Sequence, residues 1–346
     1  VSTSWLYYNK MRWAGAWSSV TTYNPQDVVS YGGYGYVSLA GSNLNHTPVP
    51  GGTAYWAQLP TSAFTLPSGS QGQYLQIQPN TGNNSTYRFS TLPLANSSDY
   101  NFPAQTPGGS LIAHGVNQPV AMAPCPLGLN GSDTQHYVYL SGGTGTAEAV
   151  LINGGTCTSG AASGTILATP NNNHSGAWTV QSATAGIAEA SVVSTSVLTP
   201  DGSYTIHGPI YVATNKAISG VSMNGVQLNV AADFPLSVNG VFIGQNAASG
   251  GPQFRNLTIN FIQPDEAVLT SYAHWPPAFY MVDSARFELH DVMIVRAWDA
   301  VNMSGNAGGA VIENLQASFF HRGIWIDGTL DSVYLNTIHL WPFGLT

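Results

Sequence analysis

Four carboxylates in the last fifty residues, Asp299, Glu313, Asp327 and Asp331, stand among the rings of Trp298, His321 and Trp325. Two carboxylates held across a glycosidic bond can serve as acid and base. Flat rings beside them can stack on sugars. An internal repeat brings some of these groups together. When Asp291-Val292-Met293-Ile294 is laid on Asn314-Leu315-Gln316-Ala317, an offset of 23, Asp299 falls on Arg322, Trp298 on His321 and Asn302 on Trp325. Stacked as neighbouring strands, such pairs would lie about 4.8 Å apart. The expectation is a sugar groove lined by Trp298, His321, Trp325 and Asp327, with Asp299, Asp327 and Asp331 as the candidate catalytic acids. An ordinary ion pair beside a stack of large side chains satisfies the same alignment.

Other chemistries find no support. The chain has no Gly-x-Ser-x-Gly, no phosphate loop, no Asp-Asp pair and no Gly-His-Gly. A calcium-dependent lyase would need several clustered acids with basic residues nearby, whereas here Lys occurs only at positions 10 and 216. Cys125 and Cys157 lack the paired ligand spacing of a zinc site. They are either a disulfide or two buried thiols. No metal site and no cofactor are expected. If the protein is an enzyme, its catalytic residues are expected beyond Thr346.

The elements that must position these groups follow from composition. Only 7% of the 346 residues are charged, while 43% are apolar, and there are 38 Gly and 21 Pro. That balance excludes coiled coils and disorder and favours an all-β protein with many turns. The net charge of −8, with 8 basic residues scattered, excludes nucleic acid as a partner. No apolar run nears the ~20 residues of a membrane helix, so no membrane insertion is expected. The chain opens at Val1 without a signal segment, and a preceding part is expected to have been removed or not included.

Residues 1–60 are aromatic-dense, and Asp27 to Ser38 reads as a hairpin around Gly32-Gly33. Trp17, Tyr23, Asp27-Val28-Val29, Tyr31-Gly32, Tyr36, Pro48 and Trp56 resemble the small chitin-binding modules of bacterial chitinases. The same module recurs near the ends of phage tail fibres. Gln26 departs from that pattern, which usually has Gly there. The resemblance implies carbohydrate-binding aromatics, with Trp17, Tyr31, Tyr34 and Trp56 as candidates. Tyr34 and Trp56 are expected to be the more exposed, although the core of a mini-domain would need the same residue types.

Residues 61–118 read as a polar connector. Its Pro67-Ser68-Gly69-Ser70-Gln71-Gly72-Gln73-Tyr74-Leu75 resembles stretches of phage tail-fibre shafts. Residues 119–180 alternate β-prone runs with Gly turns and read as a small β-domain carrying both cysteines. Ser182 to Ala190 is the one helical stretch, with Ser or Thr ahead of Ala-rich sequence.

From 181 to 346 the period decides the fold. The offset of 23 is followed by one of 22, which sets Asn336 on Asn314, and preceded by 35, which sets Asn256 on Asp291. Short strands at a period of 22–23 with Asn or Asp at one turn predict a right-handed parallel β-helix. Asn256, Asp291, Asn314 and Asn336 would form a side-chain ladder along it. The Ala183–Ala190 helix would cap the first rungs. Leu198-Thr199-Pro200-Asp201-Gly202-Ser203-Tyr204-Thr205-Ile206, with Ile218-Ser219-Gly220, resembles the opening of pectate-lyase-like β-helices. No C-terminal cap is visible, so the solenoid is expected to continue past Thr346.

The order of parts resembles a bacteriophage tailspike or tail fibre. That resemblance implies a virion tail protein outside cells. It would attach to a cell-surface polysaccharide as a homotrimer beside other virion tail proteins. A secreted polysaccharide lyase or hydrolase with a binding module, or a bacterial surface adhesin or filament, are the other readings of the same parts.

Overall fold

A computed structural model describes residues 12–32, 34–50, 52–58, 73–78, 88–93, 100–107, 111–115, 117–244, 250–263 and 272–342. The protein is mostly β, and among the described residues the single helix is Ile187–Val193. The chain divides into two compact units, Val1–Ser70 with Leu75–Thr91, and Gln71–Tyr74 with Leu92–Thr346. Most of the expected connector lies outside the described residues. Within it a two-stranded sheet pairs Gln73–Gln78 with Arg88–Pro93.

The first unit holds a four-stranded sheet of Arg12–Ala16, Asp27–Tyr31, Tyr34–Ser38 and Trp56–Gln58. The central hairpin pairs Tyr31 with Tyr34, and Gly32 takes the left-handed conformation the tight turn requires, φ 57°. Its core is Tyr23, Val29, Tyr36 and Trp56, with Trp17 packed against it. Large rings supply much of the burial in so small a sheet, with Val28, Val29 and Val37 beside them.

The second unit contains two sheets. The first is antiparallel, in the order Leu111–Ile112, His174–Ser182, Tyr137–Thr144, Glu148–Gly155, Gly164–Ala168, Gln118–Met122. It takes in Leu111–Ile112 and the Gln105–Val180 bridge, so this domain begins earlier than position 119. Cys125 and Cys157 are joined as a disulfide in its core. Closing a loop of 32 residues' separation contributes about 3–4 kcal/mol through the unfolded chain.

The second sheet is eleven-stranded, parallel throughout, and curls into a parallel half-barrel. Three columns of stacked partners run across it, buried along most of their length and exposed at Leu335 and Leu340 on the last strand. One runs Val197, Ile218, Phe254, Leu289, Ile312, Leu335. Another runs Tyr204, Leu228, Ile259, Ile294, Ala317, Leu340. The third runs Ile210, Phe242, Phe279, Val301, Ile324. Apolar residues alternate with polar ones, as in Val226–Val230, where Val226, Leu228 and Val230 are buried and Gln227 and Asn229 half-buried, because side chains on a strand alternate in direction. The predicted repeat is present at its first two steps: Phe254 pairs with Leu289 and Leu289 with Ile312.

The last step differs. Glu313, not Asn314, pairs with Asn336, so the offset is again 23 and Thr337 follows Asn314 in the column. The shared property of that column is backbone conformation. Asn256, Asp291, Asn314 and Thr337 have φ of 57, 53, 50 and 54°. Asn314 Nδ2 donates to Asp291 Oδ1 at 2.6 Å. One strand earlier Gly220 stands under Asn256, and a Cβ there would meet the Asn256 carbonyl oxygen at 1.9 Å. Asn336 instead donates to Glu313 Oε1 at 3.2 Å.

The helix starts at Ile187, later than the Ala-rich stretch predicts. Ala185 and Gly186 are left-handed at φ 51 and 82° and make a turn in its place. Ile187, Ala188 and Ala190 join the core of the parallel sheet at its first strands, the position expected of a cap. Buried polar contacts tie the two sheets together. His136 Nε2 lies 3.2 Å from Glu189 Oε1. The Tyr139 hydroxyl donates to Asp233 Oδ2 at 2.5 Å, and His207 Nδ1 bonds the other Asp233 oxygen at 2.7 Å.

Candidate functional site

Two long strands, Glu288–Ser304 and Val311–Asp327, position the groups singled out by the repeat. Their register sets Asp299 opposite Arg322, Asn302 opposite Trp325 and Ser304 opposite Asp327. Asn302, Ser304, Trp325 and Asp327 therefore share the face turned away from the core column of Val301 and Ile324. Trp325 is 36% exposed.

Two features order this face. His321 Nδ1 donates to Asp299 Oδ1 at 2.8 Å across the two strands. The Arg322 guanidinium lies over the Trp325 ring, 4.0 Å from its centroid. A guanidinium over an indole is attracted to the ring and can keep N–H groups free to donate to a ligand.

Trp298 is placed with its neighbours but used differently from the expectation. Its ring lies between His274, at 3.9 Å, and His321, at 5.3 Å, with interplanar angles of 20 and 21°. Both indole faces are taken, so this stack presents edges and ring nitrogens to solvent. His274 comes from the long loop that interrupts the repeat, which is why the alignment did not find it.

The three candidate acids do not converge. Asp299 is engaged by His321. Asp327 is exposed on the strand face. Asp331 sits in a turn against Gly308, where its Oδ1 accepts from Ser332 N at 2.7 Å. None of the three bonds another among the described residues.

In the first unit, Tyr31 and Tyr34 are 40% and 37% exposed at the hairpin end. Trp17 is half-buried and meets Tyr31 edge to face at 5.1 Å. The expectation for Trp56 is corrected: it is fully buried. Its strand pairs with Ser38, its ring meets Tyr23 at 5.3 Å, and its Nε1 donates to the His46 carbonyl at 2.5 Å. A ring held on all sides has no face for a sugar. Tyr55, 39% exposed and stacked on His46 at 3.4 Å, is the exposed neighbour.

Sequence reading also missed two buried acid–imidazole pairs. Glu148 accepts from Asn171 N and Asn172 N, both at 2.8 Å, and bonds His174 at 3.0 Å. The His136–Glu189 pair joins residues 53 apart, and no local pattern marks it. No family model, no curated protein and no solved structure matches this chain.

Proposed function

We propose that this chain is an attachment protein of the bacteriophage tailspike or tail-fibre class, binding a polysaccharide on the host surface without cleaving it. In this reading the parallel columns close into a right-handed β-helix. Three copies associate around one axis, and other virion tail proteins are its neighbours.

The observation that carries the reading is the Arg322–Trp325 pair on an exposed strand face. A guanidinium over an indole can offer N–H donors to sugar oxygens beside a partly open aromatic surface. His321 and Asp299, joined one strand apart, add a second polar contact. Asp299 is occupied by His321 and Asp331 by its own turn, which favours binding over acid–base cleavage. The Cys125–Cys157 disulfide suits an oxidising, extracellular setting.

Sedimentation velocity, with incubation on a panel of bacterial surface polysaccharides and pectins, tests the reading. The expected result is a trimeric mass with no new reducing ends and no absorbance from a new double bond. A monomer that depolymerises one of these glycans would replace it with a secreted lyase or hydrolase.

A further inference from the structure

A cleft of 380 Å³ opens between residues 132–136 of the antiparallel domain, the helix Ile187–Val193 and the first parallel strands at Tyr211 and Lys216. Its wall is fixed by buried groups. His136 and Glu189 are 4% and 0% exposed and hold each other at 3.2 Å. The Thr184 hydroxyl donates to the other Glu189 oxygen at 3.0 Å. The loop and the helix cannot separate without stranding a buried acid.

Three groups reach this cleft with hydrogen-bonding capacity left over. Lys216 Nζ donates to Ser191 O at 2.5 Å and Ser194 O at 2.7 Å, which leaves a third N–H. Asp133 Oδ2 accepts from Asn130 N at 3.1 Å and lies 3.8 Å from His136 Nδ1, which leaves Oδ1. Tyr211 contributes a phenol that has no hydrogen-bond partner among the described residues. A free anion entering the cleft would meet Asp133, and a free cation would meet Lys216. A neutral ligand carrying donors and acceptors on adjacent carbons meets neither repulsion and bonds both. That chemistry is a sugar's, and the Tyr211 ring supplies apolar surface for one of its faces.

We propose that this cleft is a binding site for a neutral saccharide of about one or two rings, its volume lying at the low end of small-molecule sites, about 300–1,000 Å³. The site shares no residue with the Arg322–Trp325 face.

Calorimetric titration of the full chain with glucose, galactose, N-acetylglucosamine and their β-1,4-linked disaccharides tests it. At least one of these probes is expected to bind with Kd near or below about 1 mM. Asp133→Asn retains an oxygen for the Asn130 N–H and removes the charge, and it should weaken binding about tenfold. Tyr211→Phe removes one hydroxyl and should weaken it several-fold, with an unchanged thermal transition. Arg322→Ala should leave this binding intact while reducing polysaccharide capture, so the two sites stand or fall separately. The proposal is overturned if no probe binds, or if a bound probe titrates Tyr211→Phe as it does the unchanged chain.

Discussion

Thr337 is the residue at which sequence and backbone disagree most usefully. It occupies the left-handed position that Asn256, Asp291 and Asn314 occupy before it, at φ 54°. A β-branched residue there costs about 1–2 kcal/mol, whereas Asn adopts the region readily. Thr337→Asn should therefore raise stability by about 1 kcal/mol and the thermal midpoint by about 2–4 °C. Asn314→Ala should lower stability by about 1–2 kcal/mol, since it loses both the bond to Asp291 and a side chain suited to the turn. Asn314→Gly should cost less, because only the bond is lost. Equal effects of Ala and Gly would detach the column from its conformation. The ladder was legible as residue type, which drew the last step to Asn336. Backbone conformation, which is not written in residue type alone, places Thr337 there. Trp56 teaches the same at a different site: it was expected to be exposed, but strand pairing turned it onto Tyr23.

Among the elements, the N-terminal sheet rests on one charged contact. Arg12 bonds both oxygens of the buried Asp27 at 2.9 Å. These bonds hold the Asp27 carboxyl below its ordinary value, with the Asn24 N–H assisting. The unfolded chain takes up the proton first, near the ordinary value of about 3.9. This contribution is therefore complete above that pH and is lost as pH falls through the lowered folded value. A carboxyl ¹³C titration should place the Asp27 midpoint below about 3.9, and Arg12→Gln should move it upward. A midpoint at the ordinary value in the unchanged chain would remove the ion pair from the account. The hairpin was readable because Gly32 and alternating residues mark it locally. The start of the helix was not, because the left-handed pair Ala185-Gly186 interrupts a stretch whose composition favours helix throughout. The antiparallel domain was recognised by its cysteines and Gly turns, but its first strand lay in sequence that resembled linker.

Across the whole molecule, the long period was the most legible feature, since from Gln253 onward parallel partners lie 35, 23 and 23 residues apart. The register of Asp299 on Arg322 and Asn302 on Trp325 followed from it. What the period could not supply was orientation within a shared face: that His274 closes Trp298, and that Arg322 lies on Trp325. The central claim is that this face holds a polysaccharide. Capture of the full chain on immobilised bacterial surface polysaccharides, compared with Trp325→Ala and Arg322→Ala, tests it most directly. The account predicts binding to at least one polysaccharide, weakened about tenfold or more in each variant, with thermal transitions unchanged. Binding to none, or equal binding by all three chains, would contradict it.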